Sequence, residues 1–199
     1  MRPSPVLSVA MWLVPSLLLG CAGGDKSGDS AAVDSPVIKG DPPVNPTLLI
    51  NEFLASNKAS NADTAGEFDD WIELYNTGTD RVSFTGLSLT DDLTKPEKSP
   101  LPAGAGIDPG AYYLVWCDNQ PEQGEDHATF RIAKSSGVVA LYSNAAGYDS
   151  LRVDGINYTQ QPADLSAARV PDGSTNWLAG QTPTPDAANG TGGASDSGP

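Results

Sequence analysis

Acidic and amide side chains gather in three stretches of this 199-residue chain, and oxygen donors of this kind can bind calcium. Calcium takes six to eight oxygen ligands from carboxylates, amides and backbone carbonyls. The spacing does not follow the EF-hand loop, and the alternative is that these residues cap turns by accepting hydrogen bonds from nearby backbone amides. Loops at one end of a β-sandwich could bring the groups together. The candidate ligands of a structural calcium, the one cofactor that the sequence suggests, are Glu52, Asn57, Asp69, Asp70, Asp91 and Asp92, with Glu67 in the second stretch.

Two glutamates and one arginine could form a buried ion pair. Glu52 and Glu73 lie inside apolar stretches, where alternation can turn a side chain towards the core, and Arg169 also has apolar neighbours. An unpaired charge in a protein interior is costly. One hypothesis is therefore that Arg169 pairs with Glu73 or Glu52, inside or at the edge of the core. The alternative, that all three side chains face solvent, remains open.

Residues for catalysis or zinc binding are few. His127 is the single histidine and lies in the acidic stretch Glu125-Asp126-His127, without a glycine-framed nucleophile beside it. We expect it to be an exposed loop residue. One histidine and one free cysteine are fewer than the three or four ligands that a zinc site needs. Cys117 ends an apolar stretch and is expected to be an unpaired, buried thiol. The sequence therefore predicts no enzyme.

The N-terminus has the pattern of an export signal. Arg2 precedes a short apolar run, Val6 to Gly20, which ends at a small residue before Cys21. This stretch resembles the lipobox of bacterial lipoproteins, and the resemblance implies that Cys21 is lipidated and that residues 1–20 are removed. A plain signal peptide and a transmembrane helix are the alternatives, but the run is shorter than the roughly 20 residues that a spanning helix needs.

Composition divides the rest of the chain into a tether, a domain and a tail. Residues 21–46 are rich in Gly, Ser and Asp and then in Pro, which is typical of a flexible or extended linker. Residues 190–199 have the composition of a disordered tail. One folded domain is predicted at 47–189.

Charge restricts the partners. The chain has 11 basic and 25 acidic side chains, a net charge of −14. An acidic surface repels phosphate backbones, so nucleic acid is not expected as a partner. Aromatic side chains exposed on a sheet could stack on sugars, which keeps a glycan among the candidate ligands.

Short apolar runs separated by turn residues predict strands throughout the domain. The clearest runs are Leu48 to Phe53, Trp71 to Asn76, Tyr112 to Trp116 and Val138 to Tyr142, and Ala128 to Ile132 alternates around Phe130. Many short strands at this spacing are typical of an antiparallel sandwich or barrel. The predicted fold class is therefore all-β.

Several of these stretches, in order, resemble the lamin tail domain family. The stretches are Leu49-Ile50-Asn51-Glu52-Phe53, Asp70-Trp71-Ile72-Glu73-Leu74-Tyr75-Asn76, Gly86-Leu87-Ser88-Leu89-Thr90-Asp91-Asp92, Ile107-Asp108-Pro109-Gly110, Phe130-Arg131-Ile132 and Arg169-Val170-Pro171-Asp172-Gly173-Ser174. The resemblance covers residues 47–189 and implies an immunoglobulin-like antiparallel β-sandwich. Leu87, Ala168 and Asp186 depart from the residues that are common at their positions, which affects turns and local packing.

Together these observations predict a lipid-anchored envelope protein of a bacterium. We expect an exported chain, held at the outer membrane or cell surface, whose domain contacts an unknown protein in adhesion or scaffolding. The step from this fold to that role depends on the family resemblance alone, since a fold does not determine a function. The alternative is a surface lipoprotein that binds a ligand, either a glycan or a calcium-dependent partner.

Overall fold

The computed structural model describes residues 39–40, 47–144 and 150–190, which belong to one compact unit. The predicted signal segment 1–20, Cys21, most of the predicted linker and all but the first residue of the predicted tail lie outside the described residues. The described residues form strands, turns and bends and no helix. Accordingly, this part of the chain contains no helix with the length and apolar character to cross a membrane.

Twelve strands are present in the described residues. They are β1 Lys39–Gly40, β2 Leu48–Leu54, β3 Trp71–Asn76, β4 Val82–Ser83, β5 Leu87–Thr90, β6 Ser99–Pro100, β7 Gly106–Ile107, β8 Tyr112–Trp116, β9 Gly137–Ser143, β10 Leu151–Tyr158, β11 Ser166–Arg169 and β12 Trp177–Gln181.

The strands form two five-stranded sheets and one small pair, and every pairing is antiparallel. The first sheet has the order β1-β10-β9-β5-β6, the second has the order β12-β11-β2-β3-β8, and β4 pairs with β7. One hydrophobic cluster contains side chains from both large sheets. The predicted all-β class and the immunoglobulin-like sandwich are therefore confirmed.

Strand β2 is the centre of the core, because all seven of its residues are buried. Ile50 and Phe53 both face the first sheet, although they are three positions apart. A β-bulge between Ile50 and Glu52 inserts one extra residue and restores the alternation. The ring of Phe53 packs against Tyr158 of β10 at 4.9 Å, and burial of such a ring contributes about 1.5–3 kcal/mol.

Two local predictions differ from the structure, one at residues 128–132 and one in the linker. Residues 128–132 form no strand, and the chain there makes isolated bridges, such as Asp118 with Arg131. Strand β10 also continues through Asp154-Gly155, a pair that is typical of a turn, and it pairs with β9 on both sides of a bulge between Arg152 and Asp154. Two residues of the predicted linker, Lys39 and Gly40, pair with the edge of β10.

Candidate functional site

Acidic side chains converge where the connection between β2 and β3 meets the segment that follows β8. Asp63, Glu67 and Asp69 come from the first segment, and Asp118 and His127 come from the second. These five residues are called the acidic loop cluster below. Long connections between strands carry function in many sandwiches, because the sheets hold them in place.

A tight turn arranges the first half of the acidic loop cluster. The Glu67 amide donates to Asp63 Oδ1 at 2.8 Å, and the Asp63 amide donates to the Glu67 carbonyl at 3.0 Å. Gly66 has φ of +85°, a conformation that side chains with a Cβ rarely adopt. The turn therefore brings the Asp63 and Glu67 carboxylates to the same side of the loop.

Hydrogen bonds fix the same loop to the second sheet. The Asn57 side chain donates to the carbonyls of Asn61 and Asp69 at 2.7 and 2.8 Å. Asp70 Oδ1 accepts from the Asn57 amide at 2.8 Å, and Asn61 Oδ1 accepts from the indole of Trp71 at 2.8 Å. Burial raises the pKa of Asp70 to about 6, although the Asn57 hydrogen bond opposes the increase. The loop is thus ordered before any ligand arrives.

His127 is buried, which corrects the expectation of an exposed loop residue. Its ring nitrogen Nδ1 lies 2.7 Å from Asp118 Oδ2, and its ring stacks on Trp116. An ionised carboxylate only accepts, so Nδ1 donates to it. The hydrogen bonds of the described residues join this ring to Asp118 and to no hydroxyl group. His127 therefore helps to hold Asp118 in place.

Negative charge concentrates within the acidic loop cluster. Ligand atoms of Asp63, Glu67 and Asp69 all lie within 4.8 Å of one another, and the same holds for Asp63, Asp118 and His127. Burial raises the pKa of Asp69, and the carboxylates of Asp118, Glu67 and Asp63 raise it further. Asp63 Oδ2 and Asp69 Oδ2 are enclosed and accept no hydrogen bond. The cluster combines the charge and the free acceptors that a cation needs.

The six calcium ligands predicted from the sequence do not meet at one point. Asn57, Asp69 and Asp70 share one loop, but Glu52 lies elsewhere, beneath the segment that follows β12. Asp91 pairs with Lys98, and Asp92 accepts from the amide and hydroxyl of Thr94. Among the described residues, the groups with the spacing of a metal site contain Asp69 of these six ligands, together with Glu67 from the same predicted stretch.

Arg169 forms a buried ion pair, but its partner is Asp154 and neither of the predicted glutamates. Arg169 Nη2 lies 2.9 Å from Asp154 Oδ2, and both side chains are buried. Alternation explains the difference: Ala168 pairs with Glu52 on the outer side of the second sheet, so the next side chain points towards the first sheet. The ion pair also forms hydrogen bonds with both backbone polar groups of Ile50. The Ile50 amide donates to Asp154, and the Ile50 carbonyl accepts from Arg169.

Glu52 and Glu73 are both buried, and they face each other across β2 and β3. The segment after β12 covers them: the Thr184 amide donates to Glu52 at 3.2 Å, and the Asp186 amide donates to Glu73 at 2.7 Å. Burial raises the pKa of both, and that of Glu73 reaches about 8. The hydrogen bond from the Asp186 amide lowers the pKa of Glu73, and the charge of Glu52 raises it. These glutamates are structural contacts of the C-terminal segment.

Of the two cysteines, only Cys117 lies in the described residues. Cys117 is buried and unpaired, as predicted, and burial raises the pKa of its thiol well above the ordinary value. Its position in the core indicates a packing role. Cys21 lies outside the described residues, so its lipidation stays a prediction.

Sequence reasoning did not identify Asp63 and Asp118. The spacing of Asp63, Glu67 and Asp69 over seven residues is a local signal that could have singled out the first three carboxylates. Asp118 had no such signal, because its approach depends on the bridge between β8 and the residues near His127.

The comparison with known families agrees with this architecture. The model of the Lamin Tail Domain matches residues 42–160, which is more than half of the chain. The comparison with curated proteins found no match. The matched range contains β2 to β10 and every residue of the acidic loop cluster. With the sheet order described above, this match shows that the chain belongs to the lamin tail domain family.

Proposed function

We propose that this chain is a non-enzymatic, lipid-anchored protein of the cell envelope that contacts a protein partner through its lamin tail domain. The family supports a domain of the protein-interaction type, since the lamin tail domain is a non-catalytic, immunoglobulin-like fold. Adhesion or scaffolding is the role that fits a single sandwich held at a membrane by a tether.

The observation that carries the proposal is an exposed aromatic residue on an ordered loop. Phe68 is 48% exposed and lies between Glu67 and Asp69, in the connection that Asn57 and Trp71 fix to the sheet. An aromatic side chain that is already held in place loses little conformational entropy on binding, and such residues are frequent binding hot spots.

The lipid anchor is supported by the pattern of Arg2, the apolar run and Cys21. One acyl chain gives only marginal membrane binding, so stable anchoring needs more than one chain on Cys21. Growth with a palmitate analogue tests this: the wild-type protein should be labelled, and Cys21→Ser should not be. Absence of label on the wild type, or label that remains on Cys21→Ser, would refute the anchor.

Partner binding can be tested by capture from an envelope extract with the full chain carrying Cys21→Ser as bait. We expect one or more proteins whose recovery falls at least about tenfold with Phe68→Ser, the size of a lost hot spot. The matched control is Leu151→Ser, because Leu151 is also exposed (54%) but lies at the start of β10. Equal recovery with both variants would refute a contact through Phe68.

A glycan ligand is the second candidate, because two tyrosine rings stack on the outer side of the second sheet. Tyr75 and Tyr112 are half-buried, with ring centroids 4.9 Å apart. Stacked aromatic faces of this kind can bind sugars. A glycan array that shows binding by the wild type and none by Tyr75→Ala would favour this function over a protein partner.

A further inference from the structure

We propose that Asp63, Glu67 and Asp69 form a calcium-binding site in the loop between β2 and β3. The site shares Glu67 and Asp69 with the acidic stretch noted in the sequence, adds Asp63, and leaves out the other predicted ligands. It does not depend on the protein partner proposed above, because the argument uses only the geometry and chemistry of the acidic loop cluster.

The distances fit calcium. Calcium binds oxygen ligands at 2.3–2.6 Å, so two ligands on opposite sides of one ion lie roughly 5 Å apart and neighbouring ligands lie closer. One carboxylate oxygen from each of the three residues lies within 4.8 Å of the other two. These separations are compatible with one calcium ion bound by all three carboxylates.

Enclosed acceptors without partners are a second, independent indication. Although Asp63 as a whole residue is partly exposed, its carboxylate is buried, and its Oδ2 accepts no hydrogen bond. Asp69 Oδ2 and the amide oxygen of Gln123 are also enclosed and accept no hydrogen bond. Gln123 belongs to the same place, since its Nε2 donates to Glu67 at 2.8 Å. A buried acceptor without a partner costs about 1–3 kcal/mol, and a cation bound between these oxygens would remove that cost.

The charge balance points in the same direction. Three carboxylates at this separation repel one another. The lysine and arginine side chains that form ion pairs in the described residues do so elsewhere, with Asp91, Asp92, Asp108 and Asp154. The charge of Arg131 lowers the pKa of Asp69, but the charges of the neighbouring carboxylates raise that pKa more strongly. A divalent cation supplies two positive charges at the centre of this repulsion.

The donor types favour calcium over zinc. Carboxylate and amide oxygens are hard ligands, which suit calcium and magnesium, whereas zinc prefers histidine and cysteine. The one nearby imidazole, His127, already donates from Nδ1 to Asp118, and it thereby holds Asp118 beside Asp63. Magnesium usually keeps several waters and binds through one or two carboxylates, so a group of three carboxylates favours calcium.

Calorimetric titration and thermal melting of the full chain, after treatment with EDTA, test the site. We expect one calcium per chain with a dissociation constant of about 10⁻⁴–10⁻³ M, as in extracellular calcium modules. At a free calcium concentration of about one hundred times the dissociation constant, the melting temperature should rise by roughly 5–10 °C. No heat of binding and an unchanged melting temperature in 10 mM calcium, a concentration of about tenfold or more over that range, would overturn the proposal.

Three variants separate this site from the alternatives. Glu67→Gln replaces a charged ligand with a neutral amide at an exposed residue, and it should weaken calcium binding at least about tenfold without loss of the fold. Asp63→Asn should weaken it further. The matched control is Asp92→Asn, which alters a ligand predicted from the sequence and should leave binding unchanged. Binding that survives Glu67→Gln, that is lost with Asp92→Asn, or that occurs with zinc and not with calcium would overturn the proposal.

Discussion

The raised pKa of Glu73 makes a quantitative prediction about stability and pH. Burial is the largest cause of the increase from the ordinary 4.5 to about 8; the Asp186 amide opposes it, and the charge of Glu52 adds to it. Because the folded state then binds a proton more tightly than the unfolded state does, this group stabilises the fold below pH 4.5 and progressively less as the pH rises towards 8.

The two pKa values give the magnitude. Integration of the proton linkage from pH 5 to pH 9 gives a loss of roughly 4 kcal/mol from Glu73 alone. A domain of this size has a total stability of about 5–15 kcal/mol, so the loss is a large part of it. The pKa of Glu52 is raised in the same direction, so it adds to the slope and does not cancel it.

The variant Glu73→Gln isolates this contribution. Glutamine keeps an oxygen for the Asp186 amide but carries no charge, so its stability should fall with pH by roughly 4 kcal/mol less than that of the wild type. Urea unfolding at pH 5, 6, 7, 8 and 9, followed by tryptophan fluorescence, measures the difference. The control Glu97→Gln removes the same charge at an exposed position and should follow the wild-type curve. Parallel curves for Glu73→Gln and the wild type would refute the reasoning.

Three further predictions concern the core and the C-terminal segment. Arg169→Met should lower the free energy of unfolding by about 3–5 kcal/mol, because it leaves Asp154 buried without its partner; a change below about 1 kcal/mol in urea unfolding would contradict this. In a chain with Cys21→Ser, the thiol of Cys117 should react with a disulfide reagent only after unfolding, because burial raises its pKa and blocks access; rapid reaction of the folded chain would be the contrary result. A stop after Gln181 removes the amides that solvate the two buried glutamates, and we expect the melting temperature to fall by about 10 °C or more; an unchanged melt would show that the segment is dispensable.

The strands were predictable because their pattern is local. Runs such as Trp71 to Asn76 and Tyr112 to Trp116 alternate or are continuously apolar between turn residues, and the structure has β3 and β8 at these positions. Two bulges were not predictable, since a bulge at Asn51 or near Arg152 leaves no periodic signal.

The site residues were harder to predict because they meet through loops. Glu67 and Asp69 are close in sequence, but the sequence does not show that the segment after β8 brings Asp118 and His127 to them. His127 has acidic neighbours in the sequence, which suggested exposure, yet the acid that matters is nine residues earlier. Long-range approach of this kind is determined by strand order, and the strand order follows from which edges pair.

The segment beyond the family match is a structural part of the domain. Strand β11 follows residue 160 and lies inside the second sheet, between β12 and β2, so it is the strand that joins β12 to the rest of the sheet. The same segment supplies Arg169, which donates a hydrogen bond to the carbonyl of Ile50 at the bulge. It also supplies Asn189, whose side chain donates to the carbonyls of Asn51 and Arg169. Backbone groups left free by a bulge in a buried strand need partners, because an unsatisfied group in the interior is costly. The bulge in β2 and the C-terminal segment therefore depend on each other, and the cooperative unit extends to about residue 189.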